Sequence, residues 1–148
     1  MTRLLVVAAL AFGLSAAADD KAPKDAKAEL EKFTGTWVGV SAVRDGKEVP
    51  KAEAEAMRLV VAGEKYTLTE GKDVVEGTHT LDPAKTPKQI DAVRAKGPGK
   101  GEALKGVYQL TDDTFVVCFA APGKDRPAEV KAGGGPGLRV LAFKREKK

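Results

Sequence analysis

From Gly35 onward the chain is interrupted at short intervals by turn-forming residues. They are Asp45-Gly46, Ala62-Gly63, Glu70-Gly71, Asp82-Pro83, the Gly/Pro segment 96–101, Asp112-Asp113 and the Gly/Pro-rich link 121–137. Between these breaks, apolar and polar residues alternate. Tyr66 and Leu68 oppose Lys65, Thr67 and Thr69; Val75, His79 and Leu81 oppose Glu76, Thr78 and Thr80; Phe115, Val117 and Phe119 oppose Val116 and Cys118. A period of two marks a half-buried strand. Eight strands are predicted: 35–43, 57–61, 65–69, 73–81, 88–93, 104–110, 115–119 and 138–145. The 88–93 strand has the thinnest apolar content, with only Ile90 and Val93 as large groups. One helix is expected between strands, at 50–56, where Pro50 precedes an Ala/Glu run.

Eight short strands with turn chemistry between them define an all-β domain. An immunoglobulin-type sandwich is disfavoured because Cys118 is the only cysteine, so the Cys…Trp…Cys framework is missing. Closure is favoured, since eight strands suffice to enclose side chains or one small ligand. The expectation is an eight-stranded antiparallel up-and-down barrel. Its helices are short, one N-terminal and one in the first long link.

The start of the chain reads differently. Arg3, an apolar run at 4–14 and the small residues Ser15-Ala16-Ala17-Ala18 have the layout of an export signal, and the run is too short to span a bilayer. Residues 1–18 are therefore expected to be removed, 19–32 to form a tether ending in a short helix, and 33–146 to be the barrel domain. The localisation implied is periplasmic or secreted. The absence of a cysteine near residue 19 argues against a lipid anchor, and the single arginine argues against a twin-arginine signal. Removing Arg3 takes the net charge from +4 to +3. That modest excess, with few aromatics, does not indicate nucleic-acid binding. A lone cysteine also excludes an internal disulfide, so the fold rests on its apolar core.

Several pieces of the chain carry a family resemblance: Gly35-Thr36-Trp37, Asp45-Gly46-Lys47-Glu48-Val49-Pro50, Glu76-Gly77-Thr78, Leu81-Asp82-Pro83, Gly106-Val107-Tyr108, Cys118-Phe119-Ala120, Pro122-Gly123-Lys124 and Arg126-Pro127. Together they resemble the uncharacterised exported lipocalin-like domain family abundant in planctomycetes. The chain departs from that pattern at His79, Ala128 and Val130. The resemblance implies a lipocalin-like barrel and export, with no known activity attached. It also implies a structural base, in which Trp37 packs beside Phe143 and Arg145 of the returning last strand. A cation over the indole would contribute roughly 0.5–2 kcal/mol there.

In a meander, alternate links lie at opposite ends. The three longest links, 44–56, 94–103 and 121–137, share the end away from Trp37, where binding loops are expected to gather over a mouth and helix 50–56 to act as a partial lid. Candidate mouth charges are Lys96, Lys100, Lys124 and Arg126, alongside Arg94 and Lys131; Arg126 is also expected to pair with Glu129 and order its loop. Candidate cavity lining is Tyr66, Leu68, His79, Tyr108, Phe115, Val117 and Phe119.

Catalytic chemistry is sparse. The mature chain has one serine (Ser41), one histidine (His79) and one cysteine (Cys118), each within a predicted strand and none in a nucleophile-elbow context. Metal-ligand clusters are missing, and neither Gly-rich run ends in the Gly-Lys-Ser/Thr of a phosphate loop. No enzyme activity, cofactor or metal is expected. The function implied is noncatalytic binding of a small apolar or anionic amphipathic ligand. The alternative is a packed-core module that meets an envelope protein or surface through its mouth loops.

Overall fold

A computed structural model describes residues 26–131 and 133–146. The predicted export signal and the first part of the tether lie outside the described residues. Helix α1 (residues 26–33) leads into β1 (Gly35–Arg44), β2 (Lys47–Glu48), helix α2 (Lys51–Glu55), β3 (Arg58–Ala62), β4 (Lys65–Glu70), β5 (Asp73–Asp82), β6 (Lys88–Lys96), β7 (Ala103–Leu110), β8 (Thr114–Ala120) and β9 (Leu138–Arg145). Strand β2 is a two-residue return that pairs only with the end of β1. The other eight form an antiparallel meander, and β9 pairs back onto β1 from Trp37↔Arg145 to Arg44↔Arg139. The result is the predicted closed eight-stranded barrel. Burial follows the alternation read from the sequence: in β5, Val75, Gly77, His79 and Leu81 point inward and their neighbours outward.

Strand β6 runs three residues beyond the apolar pattern. The 94–102 hairpin ladder carries it, with Arg94 N–H donating to Glu102 O at 3.0 Å and Gly101 N–H to Arg94 O at 2.7 Å. Its inward residues are Ile90 and Ala92, while Val93 is exposed on the outer face. An alanine on the inside and a valine on the outside blur the period-two signal.

The barrel floor is aromatic. Trp37 is fully buried and its Nε1–H donates to Phe33 O at 2.9 Å, fixing α1 beneath the barrel. Phe33 and Phe115 have ring centroids 4.4 Å apart, and Phe115 stacks on Phe143 at 6.1 Å. The Arg145 guanidinium lies 4.2 Å above the Trp37 ring. It also donates to the carbonyls of Lys32, Thr34 and Asp112, at 2.6, 3.0 and 2.7 Å. Glu29 of α1 adds a polar anchor, accepting from Tyr108 Oη and Lys88 Nζ, both at 2.8 Å. Tyr108 is therefore part of the floor assembly and does not line the cavity, contrary to expectation.

Helix α2 is a wall piece. Strands β1 and β3 pair only over Gly35–Val38, and α2 packs beside the upper part of β1 with Ala54 fully buried. A Cβ at Gly39 would lie 2.0 Å from Ala54 O, so the close approach requires glycine. Ala54 joins the interior core cluster with Trp37, Leu59 and Phe143, and no α2 residue borders the two cavities described below.

The 121–137 link also departs from expectation. It leaves from the mouth but turns back over the outer wall. There the register aligns Val107, Cys118, Val140 and Val43 across four strands, and Val130 and Leu138 pack against this row. Burying an apolar stripe outweighs standing in water over the opening. Arg126 clamps the link: it donates to the carbonyls of Ile90 and Gly106, at 3.0 and 2.9 Å, and pairs with Asp91 at 2.6 Å. Its partner is thus Asp91 where Glu129 was expected. Cys118 is fully buried outside the barrel interior, under this flap.

Two expectations follow. Arg145→Ala should lower unfolding free energy in urea by ~2–3 kcal/mol, through lost charged hydrogen bonds and the cation–π contact, with Arg145→Lys recovering only part because an ammonium lacks the fork. A change under about 0.5 kcal/mol would contradict that role. Arg126→Ala should accelerate thiol labelling of Cys118 roughly 5–30-fold, the factor for one or two kcal/mol of easier local opening. An unchanged rate would mean that the clamp does not hold the flap.

Candidate functional site

Above the floor, a cavity of about 60 Å³ opens inside the barrel. Leu59, Leu68, Val75, Ile90, Val117 and Leu141 supply much of its wall. Tyr66, His79, Arg94 and Arg139 are its polar members. A second cavity of about 190 Å³ lies at the mouth and shares Arg94, Leu104, Phe119 and Arg139 with the first. The two spaces form an outer vestibule and an inner chamber, with Arg94 and Arg139 at the neck.

Strand parity places each polar group. His79 follows Val75 and Gly77 on the inward phase of β5. Gly77 makes room for Tyr66, since a Cβ there would lie 2.9 Å from the Tyr66 hydroxyl. The Tyr66 ring centroid is 6.1 Å from that of His79, and Phe33 meets His79 edge-on at 5.3 Å. Arg94 continues the Ile90–Ala92 phase, donates to Pro98 O at 3.0 Å and lies 3.8 Å from Glu102. Arg139 is in phase with Leu141 and Phe143 and pairs with Glu70, which also receives Arg44 Nη2 at 2.5 Å.

Burial dominates the electrostatics. It pushes His79 down from 6.5 to about 4, against an approach to the Gly63 backbone that falls outside hydrogen-bond geometry, so the imidazole is neutral near pH 7. Burial raises the Tyr66 phenol, with Arg94 and Arg139 acting the other way. Burial also makes Arg139 less basic than a free arginine, an effect that Glu70 offsets in part. Tyr108 is raised by burial and by its bond to Glu29.

Most buried polar side-chain atoms in proteins find a partner. Among the described residues, those that do not are His79 Nδ1, His79 Nε2 and Arg139 Nε. All three belong to residues lining the inner chamber. Leaving each such atom unpaired costs about 1–3 kcal/mol. They are the buried polar atoms that no other described residue pairs.

Of the lining residues expected from sequence, Tyr66, Leu68, His79, Phe115, Val117 and Phe119 border the chamber. Trp37, Phe143 and Arg145 form the base, with Phe143 also reaching the chamber. Lys96, Lys100 and Lys124 are exposed and make no ion pair among the described residues. Arg126 is corrected to the outer wall, where its hydrogen bonds consume it. The cations that do reach the neck include Arg139, which sequence reasoning missed, together with the Glu70–Arg44 pair beside it. Arg139 was findable: it lies two residues before Leu141 and four before Phe143, in the phase that points inward. Ser41 is exposed, His79 is inside and Cys118 is on the outer wall, so among the described residues these three form no Ser–His or Cys–His pair.

No family model, curated protein or solved structure matches this chain.

The neutral His79 predicts an acid-sensitive fold. Its folded pKa of about 4 lies below the unfolded 6.5, so in that window the unfolded chain binds more protons. Stability should fall as pH drops from 6.5 towards 4, by up to ~3 kcal/mol from this group. His79→Phe should remove that component while matching or exceeding wild-type stability at pH 7. The check is urea unfolding of both proteins across the range; a wild-type-minus-variant difference that stays flat with pH would contradict a buried neutral imidazole.

Proposed function

We propose that this is an exported, noncatalytic binding protein that holds a small amphipathic molecule inside its barrel. Export rests on the signal-like layout of residues 1–18, and the lipocalin-like kinship on the motifs from Gly35-Thr36-Trp37 to Arg126-Pro127. The observation that carries the binding reading is the coincidence of an apolar chamber with the unpartnered atoms of His79 and Arg139. A protein that needed only a packed core would gain stability by replacing both with apolar side chains.

One observation favours the second reading, a packed-core interaction module. The chamber is small, and Phe33, Phe115 and Phe143 already fill the floor. In that case the exposed lysines at Lys96, Lys100 and Lys124 meet an envelope protein or surface. Native mass spectrometry of protein purified from its own host separates the two. A retained small molecule, lost on denaturation, is expected; an empty barrel accompanied by a bound protein would favour the module instead.

A further inference from the structure

We infer that the ligand is a compact monoanion with a short apolar body, of the short-chain carboxylate class. This rests on the binding reading above and deepens it. Three features of the site limit the ligand independently.

The first is size. A chamber of about 60 Å³ accommodates roughly four to six small non-hydrogen atoms, at ~10–15 Å³ per water-sized occupant. A long acyl chain does not fit. The second is polarity along the axis: the inner wall is mostly apolar, while the vestibule sets the charged Arg44, Asp45, Arg94, Glu102 and Arg139 among apolar residues such as Leu104 and Phe119. A molecule spanning both spaces has a greasy end inside and a charged end at the neck.

The third is charge and hydrogen-bond capacity. At the neck, Arg44, Arg94 and Arg139 stand against Glu70, Glu102 and Asp45, three charges of each sign, and the groups that act on Arg139 itself are Glu70 against Arg44 and Arg94. Asp45 is engaged by Gly137 N–H at 2.8 Å on the vestibule side. Glu70 takes the Nη2 edge of Arg139, while Nε remains buried and free. A carboxylate oxygen can accept from that Nε–H while its apolar body lies in the chamber; phosphate has no apolar body to place there. Deeper in, the neutral His79 offers one donor and one acceptor, which a hydroxyl-bearing body or a co-bound water satisfies.

The test is calorimetric titration of the purified protein with straight-chain monocarboxylates from acetate to decanoate, with inorganic phosphate and straight-chain alcohols as controls. Affinity should rise about fourfold per methylene and stop rising near five or six carbons, when the chamber is full. Phosphate and the alcohols should bind at least tenfold more weakly than hexanoate. Arg139→Gln should weaken hexanoate binding at least tenfold and leave the alcohols unchanged. Ala92→Leu, which fills the chamber and keeps every charge, should reduce hexanoate to the level of acetate; circular dichroism melts of both variants confirm folding. Phosphate binding as tightly as hexanoate, or affinity still climbing at decanoate, would overturn the inference. So would the absence of any carboxylate binding. If the native spectrum then retains a neutral apolar molecule, the binding reading survives and only the anion assignment fails.

Discussion

The pairing of β9 with β1 is the constraint on which the rest of the molecule depends. Arg145 makes it specific: one guanidinium lies over Trp37 and donates to carbonyls on the α1–β1 connection and the β7–β8 turn. First strand, last strand, helix plug and base turn are thereby tied at one point. Closure removes the free strand edges that an open sheet would present. It also fixes which side chains are trapped inside, because the alternation of eight strands leaves no freedom once the register is set.

That trapping has two sides. Inward, it buries a core cluster running from Phe33 and Trp37 to Leu141 and Phe143, with His79 buried among it and Arg139 partly so. Outward, it aligns Val43, Val107, Cys118 and Val140, a stripe too apolar to leave in water. The 121–137 link resolves the second problem by folding over the stripe, held by Arg126. Among the described residues, His79 Nδ1 and Nε2 and Arg139 Nε find no partner. The outer wall is completed by the chain's own residues, whereas the interior keeps polar atoms without partners.

Much of this was legible in the sequence because period two is a strong signal and turn residues punctuate it. Most strand positions and closure follow from alternation and strand count, and the Trp37–Arg145 contact was implied by the lipocalin-like resemblance. Misplacements arose where burial was decided by a neighbour and not by parity. Tyr108 has the inward phase, yet Glu29 of a helix far away in sequence draws its hydroxyl into the floor. Arg126 lies in a link whose ends are at the mouth, yet the apolar outer stripe pulls its middle elsewhere. Arg139 was overlooked for the opposite reason: an arginine two positions before Leu141 looks like a strand-end surface charge until its phase is counted. Cavity size had no sequence signal at all, because it depends on how Gly77, Ala92 and the floor aromatics pack together.

The barrel interior holds polar groups that no other described residue pairs. A high-resolution crystal structure of protein purified without added ligand tests this most directly. The prediction is ordered density in the chamber, within hydrogen-bonding distance of both Arg139 Nε and the His79 ring. A collapsed chamber, with those atoms bonded to repacked protein groups, would contradict it.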